Sequence, residues 1–409
     1  MRPDFRPGTR MELDIVGQYY ASTLNERQPS TFRVSAHLKE PVNPQVLQQA
    51  VNDLMRRLPF LNGRLRRGFL HYYHEILADP PQIVPDMSEA QFTDYYNHGG
   101  GHMLRFLYGE RHMTVELTHS ICDGRGLTQI TRALLLRYFE LLGVTVEDIG
   151  DITSCSDSMY AEEAEDGFRR YANDAKAKSE MLSSGAKTYQ LTAPKANKVR
   201  VVSRSFSASK LKAAAKEQGA TISEYILAHI FQAIASQRNA EGDEKPIAGM
   251  VPIDCRAFFP TKTFRSFVSA ITITMPETKD VPEMVRQIRP QFTKINKEFL
   301  QNEINSLQKL YDRARFVPRA LVKLVMMAIT SAEAKETTSG LSNIGLVRLP
   351  KEIGQRVENM EFVIDLEETT ALFFSCIAVG DKLTLTATTR MDSDEIVEAV
   401  HRGIKSGGG

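Results

Sequence analysis

Tryptophan is absent from the 409 residues, and cysteine is scarce. The four cysteines (Cys122, Cys155, Cys255 and Cys376) are widely spaced, with no Cys-x-x-Cys pair. That spacing gives no disulfide framework and points to a reduced, cytoplasmic protein. Charge of one sign is lacking too: 51 basic residues face 50 acidic ones, for a net +1. Nothing in that balance calls for a nucleic-acid partner. No apolar run reaches the roughly 18 residues of a membrane-spanning helix. The nearest, Ala320 to Ile329, is short and carries Lys323. The N-terminus, Met1 to Gly8, has no apolar core of signal-peptide type. What remains is ordinary globular composition, 42% apolar and 25% charged. The length suits two linked domains.

Periodicity supplies the elements. Residues 32–38 alternate as a strand. Asn43-Pro44 then opens a helix whose apolar stripe is Leu47, Val51, Leu54 and Leu58. Residues 69–77, 104–108 and 113–118 read as strands, the last two antiparallel around Gly109-Glu110. Residues 80–101 read as loop. From 143 to 198 acidic and small residues dominate, which predicts a surface helix near 161–182 and a crossover linker. A second half then begins like the first: a strand at 199–206, a helix at 210–217 stopped by Gly219, and a long helix opened by the capping box Thr221-Ile-Ser-Glu224. A strand-like Val251-Pro-Ile segment and a strand at 267–275 follow, and residues 359–390 read as strands, with Gly380-Asp381 as a hairpin turn. The domains predicted are 1–160, a linker at 161–198, and 199–409.

The most informative stretch is His112 to Gly126. Met113, Val115, Leu117 and His119 share one face by period two, so a strand delivers His119 at its C-terminal end. Asp123-Gly124 turns the chain into a helix (Leu127, Ile130, Leu134, Tyr138, Leu141) stopped by Gly143. An imidazole so placed can act as a base near neutral pH.

His119-Ser-Ile-Cys-Asp-Gly124 resembles the His-x-x-x-Asp-Gly signature of the chloramphenicol-acetyltransferase-like acyltransferases. Val251-Pro-Ile-Asp-Cys-Arg256 resembles that superfamily's Pro-x-Asn/Asp-x-Arg segment, and Gly340-Leu-Ser-Asn-Ile-Gly345 its Ser/Thr-Asn-x-Gly segment. The resemblance implies an α/β (α+β) fold of two similar subdomains, each a mixed sheet with flanking helices, and an active site in the tunnel between them. It implies acyl transfer from acyl-CoA, as co-substrate, to a hydroxyl or amine of a small-molecule acceptor. His119 would be the general base, with no acyl-enzyme, no metal and no tightly bound cofactor. Asp123 would brace the turn by pairing with Arg256, and Gly124 would leave room for the tunnel. Ser342 and Asn343 are candidates for oxyanion or acceptor contacts, and Lys262 and Arg265 for the coenzyme A phosphates. A monomer is expected. An acyl carrier protein as donor, a condensation-like enzyme and a non-catalytic ligand-binding relative are the alternatives.

The chain departs from two branches. Condensation domains carry a second histidine where Thr118 stands, and the plant acyltransferases' Asp-Phe-Gly-Trp-Gly is missing. The bacterial alcohol and polyketide-associated acyltransferases are nearest. Other features read as structure. Cys122 is a small packed side chain, and His229 shares an apolar helix face with Ile222, Ile226 and Ala233. His71 and His74 lie on a strand, where metal binding is not expected. Arg56, Arg57, Arg64, Arg66 and Arg67 read as a solvated face, open to an acidic carrier. His98-Gly-Gly-Gly101 matches a lipase oxyanion loop, but no Gly-x-Ser-x-Gly accompanies it, so it reads as loop.

Overall fold

Capping and alternation translate into elements along most of the chain. The computed structural model describes residues 5–25, 28–86, 101–175, 187–194, 198–278, 280–333 and 335–408. The first half runs β1 (Arg10–Glu12), α1 (Ile15–Thr23), β2 (Thr31–Leu38), α2 (Pro44–Arg57), β3 (Gly63–Arg67), β4 (Tyr72–Ile76), β5 (Val84–Pro85), β6 (Leu104–Tyr108), β7 (His112–Thr118), α3 (Gly124–Leu141) and α4 (Gly167–Tyr171). The second runs β8 (Arg200–Ser207), α5 (Ala208–Glu217), α6 (Ile222–Glu241), β9 (Ala248–Asp254), β10 (Val268–Thr274), α7 (Val281–Phe292), α8 (Lys297–Ala314), α9 (Arg319–Glu333), β11 (Ser339–Val347), α10 (Lys351–Gly354), β12 (Val357–Ile364), β13 (Leu372–Val379), β14 (Lys382–Thr389) and α11 (Glu395–Ser406).

Helix starts sit where their capping side chains are. Asn43 Oδ1 accepts from the amides of Gln45 and Val46 at 3.1 Å, and Thr221 and Glu224 form the reciprocal box that starts α6. The described strands make three sheets, ordered β1-β4-β3, β12-β2-β7-β6-β5 and β10-β9-β11-β13-β14-β8. α2 and α3 share one apolar core with the inward residues of β2, β6 and β7. α6 and α11 share the other with the six-stranded sheet. The sheets do not follow chain order. β12, from the second half, pairs antiparallel with β2, Phe362 opposite Val34. The five-stranded sheet is therefore closed at one edge by the later part of the chain.

Four sequence expectations need correction here. β7 is buried on both faces: Thr114, Glu116 and Thr118 are as covered as Met113, Val115 and Leu117. Glu116 can be buried because Arg33 meets it at 2.9 Å and Arg105 at 3.3 Å. The helix expected near 161–182 is instead a 3-10 turn (Ala161–Ala164) followed by the five-residue α4, and residues 176–182 lie outside the described residues. Its acidic run is not a solvated face. Buried Glu163 takes both Arg57 Nη atoms at 2.7 Å, and Asp166 caps α4 through the Arg169 amide at 3.1 Å. The arginine cluster is accordingly not one solvated patch. Arg57 is buried in that pair, and Arg64 and Arg66 both close on Glu75 across the β3–β4 hairpin. Of the His98–Gly101 loop, residues 98–100 lie outside the described residues.

Candidate active site

β7 ends at Thr118 and α3 begins at Gly124, so five residues make the turn that holds His119. The imidazole is only 4% exposed. It stacks on Tyr20 of α1, ring centroids 3.9 Å apart at 16°, and Phe32 of β2 lies 4.2 Å away. Nδ1 sits 3.1 Å from the Cys122 carbonyl oxygen. A carbonyl only accepts, so Nδ1 carries the proton and Nε2 is the bare nitrogen. Burial pushes the imidazole pKa down to about 4, against the pull of Asp123. At neutral pH the ring is therefore an uncharged base of fixed tautomer.

The backbone around it is held from both halves of the chain. The His119 amide donates to the Ser30 carbonyl at 2.8 Å. Ser30 lies in the left-handed region at φ 52°, a conformation costing on the order of 1 kcal/mol for a residue with a Cβ. Its amide donates to Asp365 Oδ2 at 3.0 Å, from the segment after β12. Burial raises the Asp365 carboxyl to about 7, opposed by Arg390 and two backbone amides. Four buried hydroxyls next to this turn, on Ser30, Thr31, Thr118 and Ser120, have no hydrogen-bond partner among the described residues. Buried polar groups normally have partners, so these are places for a bound molecule's oxygens or for water.

Asp123 ties the turn to the second half. Oδ1 accepts from the Gly126 amide at 2.9 Å and so caps α3. Oδ2 accepts from Arg256 Nη1 at 2.9 Å and from the Phe267 amide at 2.8 Å. Burial works to raise this carboxyl, and Arg256 with those two amides overrides it, leaving the pKa lowered. Arg256 also binds Asp254 and the carbonyls of Thr263 and Arg265. A Cβ on Gly126 would lie 2.1 Å from the Phe264 carbonyl, so only glycine lets α3 approach that segment.

The remaining candidates divide. The missing Cβ of Gly124 makes room for Ile344 and Phe362, at 2.8 and 3.0 Å. That contact does bring the Ser342-Asn343-Ile344 stretch of β11 against the start of α3. Ser342 is buried there. The Asn343 amide is engaged inside the protein, one Nδ2 proton going to Ser223 Oγ at 2.9 Å and Oδ1 accepting from the Gly345 amide at 2.8 Å. Arg265 is not available to a phosphate. It is buried, 3.3 Å from Asp14 Oδ2, and donates to the carbonyls of Glu12 and Ala164. Lys262 is exposed, its ammonium 4.8 Å from the centre of the Tyr160 ring. Cys122 is fully buried and its thiol is pushed well above the ordinary range by burial. Its carbonyl, not its sulfur, serves His119.

α1 was not foreseen, and with it Tyr20. The signal was there in Asp14, whose Oδ1 accepts from the Gly17 amide at 2.8 Å, but Ile15 to Thr23 has no clear apolar stripe.

Comparison with known proteins bears on the fold. No family model matches the chain, and no curated protein matches it. Solved structures do. Polyketide synthase associated protein 5 from Mycobacterium tuberculosis superposes with a TM-score of 0.65 at 15% identity, covering 97% of each chain. TRI101 of F. sporotrichioides, complexed with coenzyme A and T-2, gives 0.60 at 16% identity, covering 95% of this chain and 96% of that one. The first condensation domain of the CDA synthetase gives 0.58 at 12% identity over 98% and 95%. The chain has the two-subdomain fold of these proteins.

Proposed function

We propose that this chain, built on the fold of TRI101 and the condensation domains, is an acyltransferase that moves an acyl group from acyl-CoA to a hydroxyl, or an amine, of a small molecule. The observation that carries the reading is His119: buried, neutral, with Nδ1 fixed on a carbonyl and Nε2 bare. Nε2 takes the proton of the acceptor O–H as its oxygen attacks the thioester carbonyl. The C–O bond forms, the tetrahedral oxyanion collapses, and the C–S bond breaks. The imidazolium then returns its proton to the departing thiolate, so no acyl-enzyme forms. The hydroxyls of Thr31, Thr118 and Ser120, without partners among the described residues, supply hydrogen bonds for the substrates' oxygens. Asp123 and Arg256 position the turn and do not touch the reacting atoms.

The same reading takes residues 1–160 and 199–409 as the two subdomains and 161–198 as their connection. It takes the protein to be a cytoplasmic monomer, with Lys262 as the surviving candidate for a coenzyme A phosphate. Coenzyme A is favoured over a carrier protein because three of the five arginines open to a carrier in the sequence are engaged, Arg57 with Glu163 and Arg64 and Arg66 with Glu75, which leaves only Arg56 and Arg67 exposed. The test is free-thiol release from a panel of acyl-CoAs with alcohols and amines, using purified protein. Acceptor-dependent release is expected. Release only from acyl carrier protein would move the donor, and none from either would leave a binding protein.

A further inference from the structure

The apolar run at Ala320 to Ile329 is used neither by the cores nor by the site. It forms α9, and α9 is half uncovered. Val322 and Met326 turn inward over a crevice shared with Ile15 and Tyr19 of α1 and Leu310 of α8. Thr330 Oγ1 reaches the Tyr19 hydroxyl at 3.3 Å. The opposite stripe faces out: Leu321, Leu324, Val325 and Met327 are each more than half exposed. Phe316, just before the helix, is 73% exposed, and Phe69, at the tip of the β3–β4 hairpin, 83%. These belong to one surface, because Arg319 ties the two elements together. Its amide donates to the Phe69 carbonyl at 3.1 Å and its Nε to the Gly68 carbonyl at 3.0 Å.

Such a patch is larger than scattered exposure of single apolar side chains. Charge says what covers it. From Arg313 to Ala332 there are four cations (Arg313, Arg315, Arg319, Lys323) and no carboxylate, in a chain whose net charge is only +1. Arg313 and Arg315 are exposed beside Phe316, and Arg67 is exposed beside Phe69. Projecting aromatic and aliphatic side chains with cations at their rim are the features of a helix lying in the head-group region of an anionic bilayer.

We infer that α9, with Phe316 and Phe69, is a peripheral docking surface for an anionic membrane. It places the crevice beneath α9 against the lipid. α1 separates that crevice from His119, since Ile15 and Tyr19 line it while Tyr20 stacks on the imidazole. A protein docked this way meets acyl donors or acceptors of lipid character at the bilayer surface. Docking itself does not depend on catalysis.

The test is co-sedimentation of the full chain with vesicles of phosphatidylcholine alone and of phosphatidylcholine mixed with phosphatidylglycerol. Binding to the anionic vesicles is expected, weakened by added salt. Leu321→Glu with Leu324→Glu should lower the partition coefficient about tenfold or more, and Arg313→Glu with Arg315→Glu should remove most of the preference for anionic lipid. All four positions are exposed, so both variants should melt like the parent, and His119→Ala should bind like it. No partition into anionic vesicles, or undiminished binding by both variants, overturns the inference. So does a concentration-dependent dimer, or an acyl carrier protein complex without vesicle binding, that Leu321→Glu/Leu324→Glu abolishes.

Discussion

Two buried histidines, one in each half, differ in a way that separates a site from a core. His119 and His229 are 4% and 6% exposed, and burial takes each pKa down to about 4. Each lies against a tyrosine, Tyr20 in one case and Tyr225 in the other. Burial and basicity do not distinguish them. Hydrogen bonding does. The Nδ1 of His119 is set by a carbonyl and its backbone is fastened to Ser30, while neither ring nitrogen of His229 has a partner among the described residues. His229 fills space between α6 and α11, where a Cβ on Gly403 would come within 2.6 Å of it. A fixed tautomer beside hydroxyls that lack partners among the described residues suits the base of the proposed reaction, whereas an imidazole packed on a glycine suits a filler.

The largest effect should come from removing the first ring. His119→Ala should lower acyl transfer by roughly 10²–10⁴-fold, the worth of a positioned general base, with little change in melting temperature. His229→Leu should leave turnover near that of the parent and its melting point equal or higher, because an unpaired polar group leaves the core. Loss of activity in His229→Leu at unchanged stability would erase the distinction.

The brace comes next. Removing one partner of a buried ion pair costs about 3–5 kcal/mol, since the other charge is left uncompensated. Asp123→Ala and Arg256→Ala should each lower stability and activity together, and the double variant should lose much less than the sum. A denaturant double-mutant cycle reads this. Additive losses would mean the 2.9 Å contact carries no energy. Arg256 also holds Asp254 and two carbonyls, so its single variant should be the worse of the two.

Acid should act on both histidines alike. Unfolded, each takes a proton near 6.5; folded, neither does until about 4. The unfolded state therefore binds more protons across that window, and stability is full above 6.5 and falls as the pH drops toward 4. His229→Leu should flatten the decline without moving the pH profile of kcat/KM, which should show no histidine-linked loss between pH 8 and 5. The smallest effect is expected at Cys122. Cys122→Ala should keep most activity, and mass spectrometry after acyl-CoA treatment should show no adduct on the parent's thiol. A stable acyl group there would replace direct transfer with a two-step route.

Much of this was legible in the sequence, for reasons that particular residues show. β7, α3, the α6 box and the Gly380 hairpin rest on local rules, and local rules survive folding. The contact of Asp123 with Arg256, 133 positions apart, was reached through resemblance and not through pattern. What stayed hidden depends on partners that spacing does not reveal. Arg57 and Glu163 looked like solvated charges because nothing local marks a bidentate pair, and Arg265 looked free because Asp14 is 251 positions away. Strand periodicity identified β12 but not the sheet it joins. Tyr20 was missed because α1 is covered on several sides and shows no stripe.

The proposed chemistry turns on one imidazole being neutral with its proton on Nδ1. Long-range proton–nitrogen correlation spectra of histidine-labelled protein, with His119→Gln to identify the signal, measure that directly. The prediction is a neutral, Nδ1-protonated ring from pH 8 down to about pH 5, titrating near 4. A proton on Nε2, or an imidazolium at neutral pH, would leave Nε2 unable to take the acceptor's proton and would contradict the mechanism.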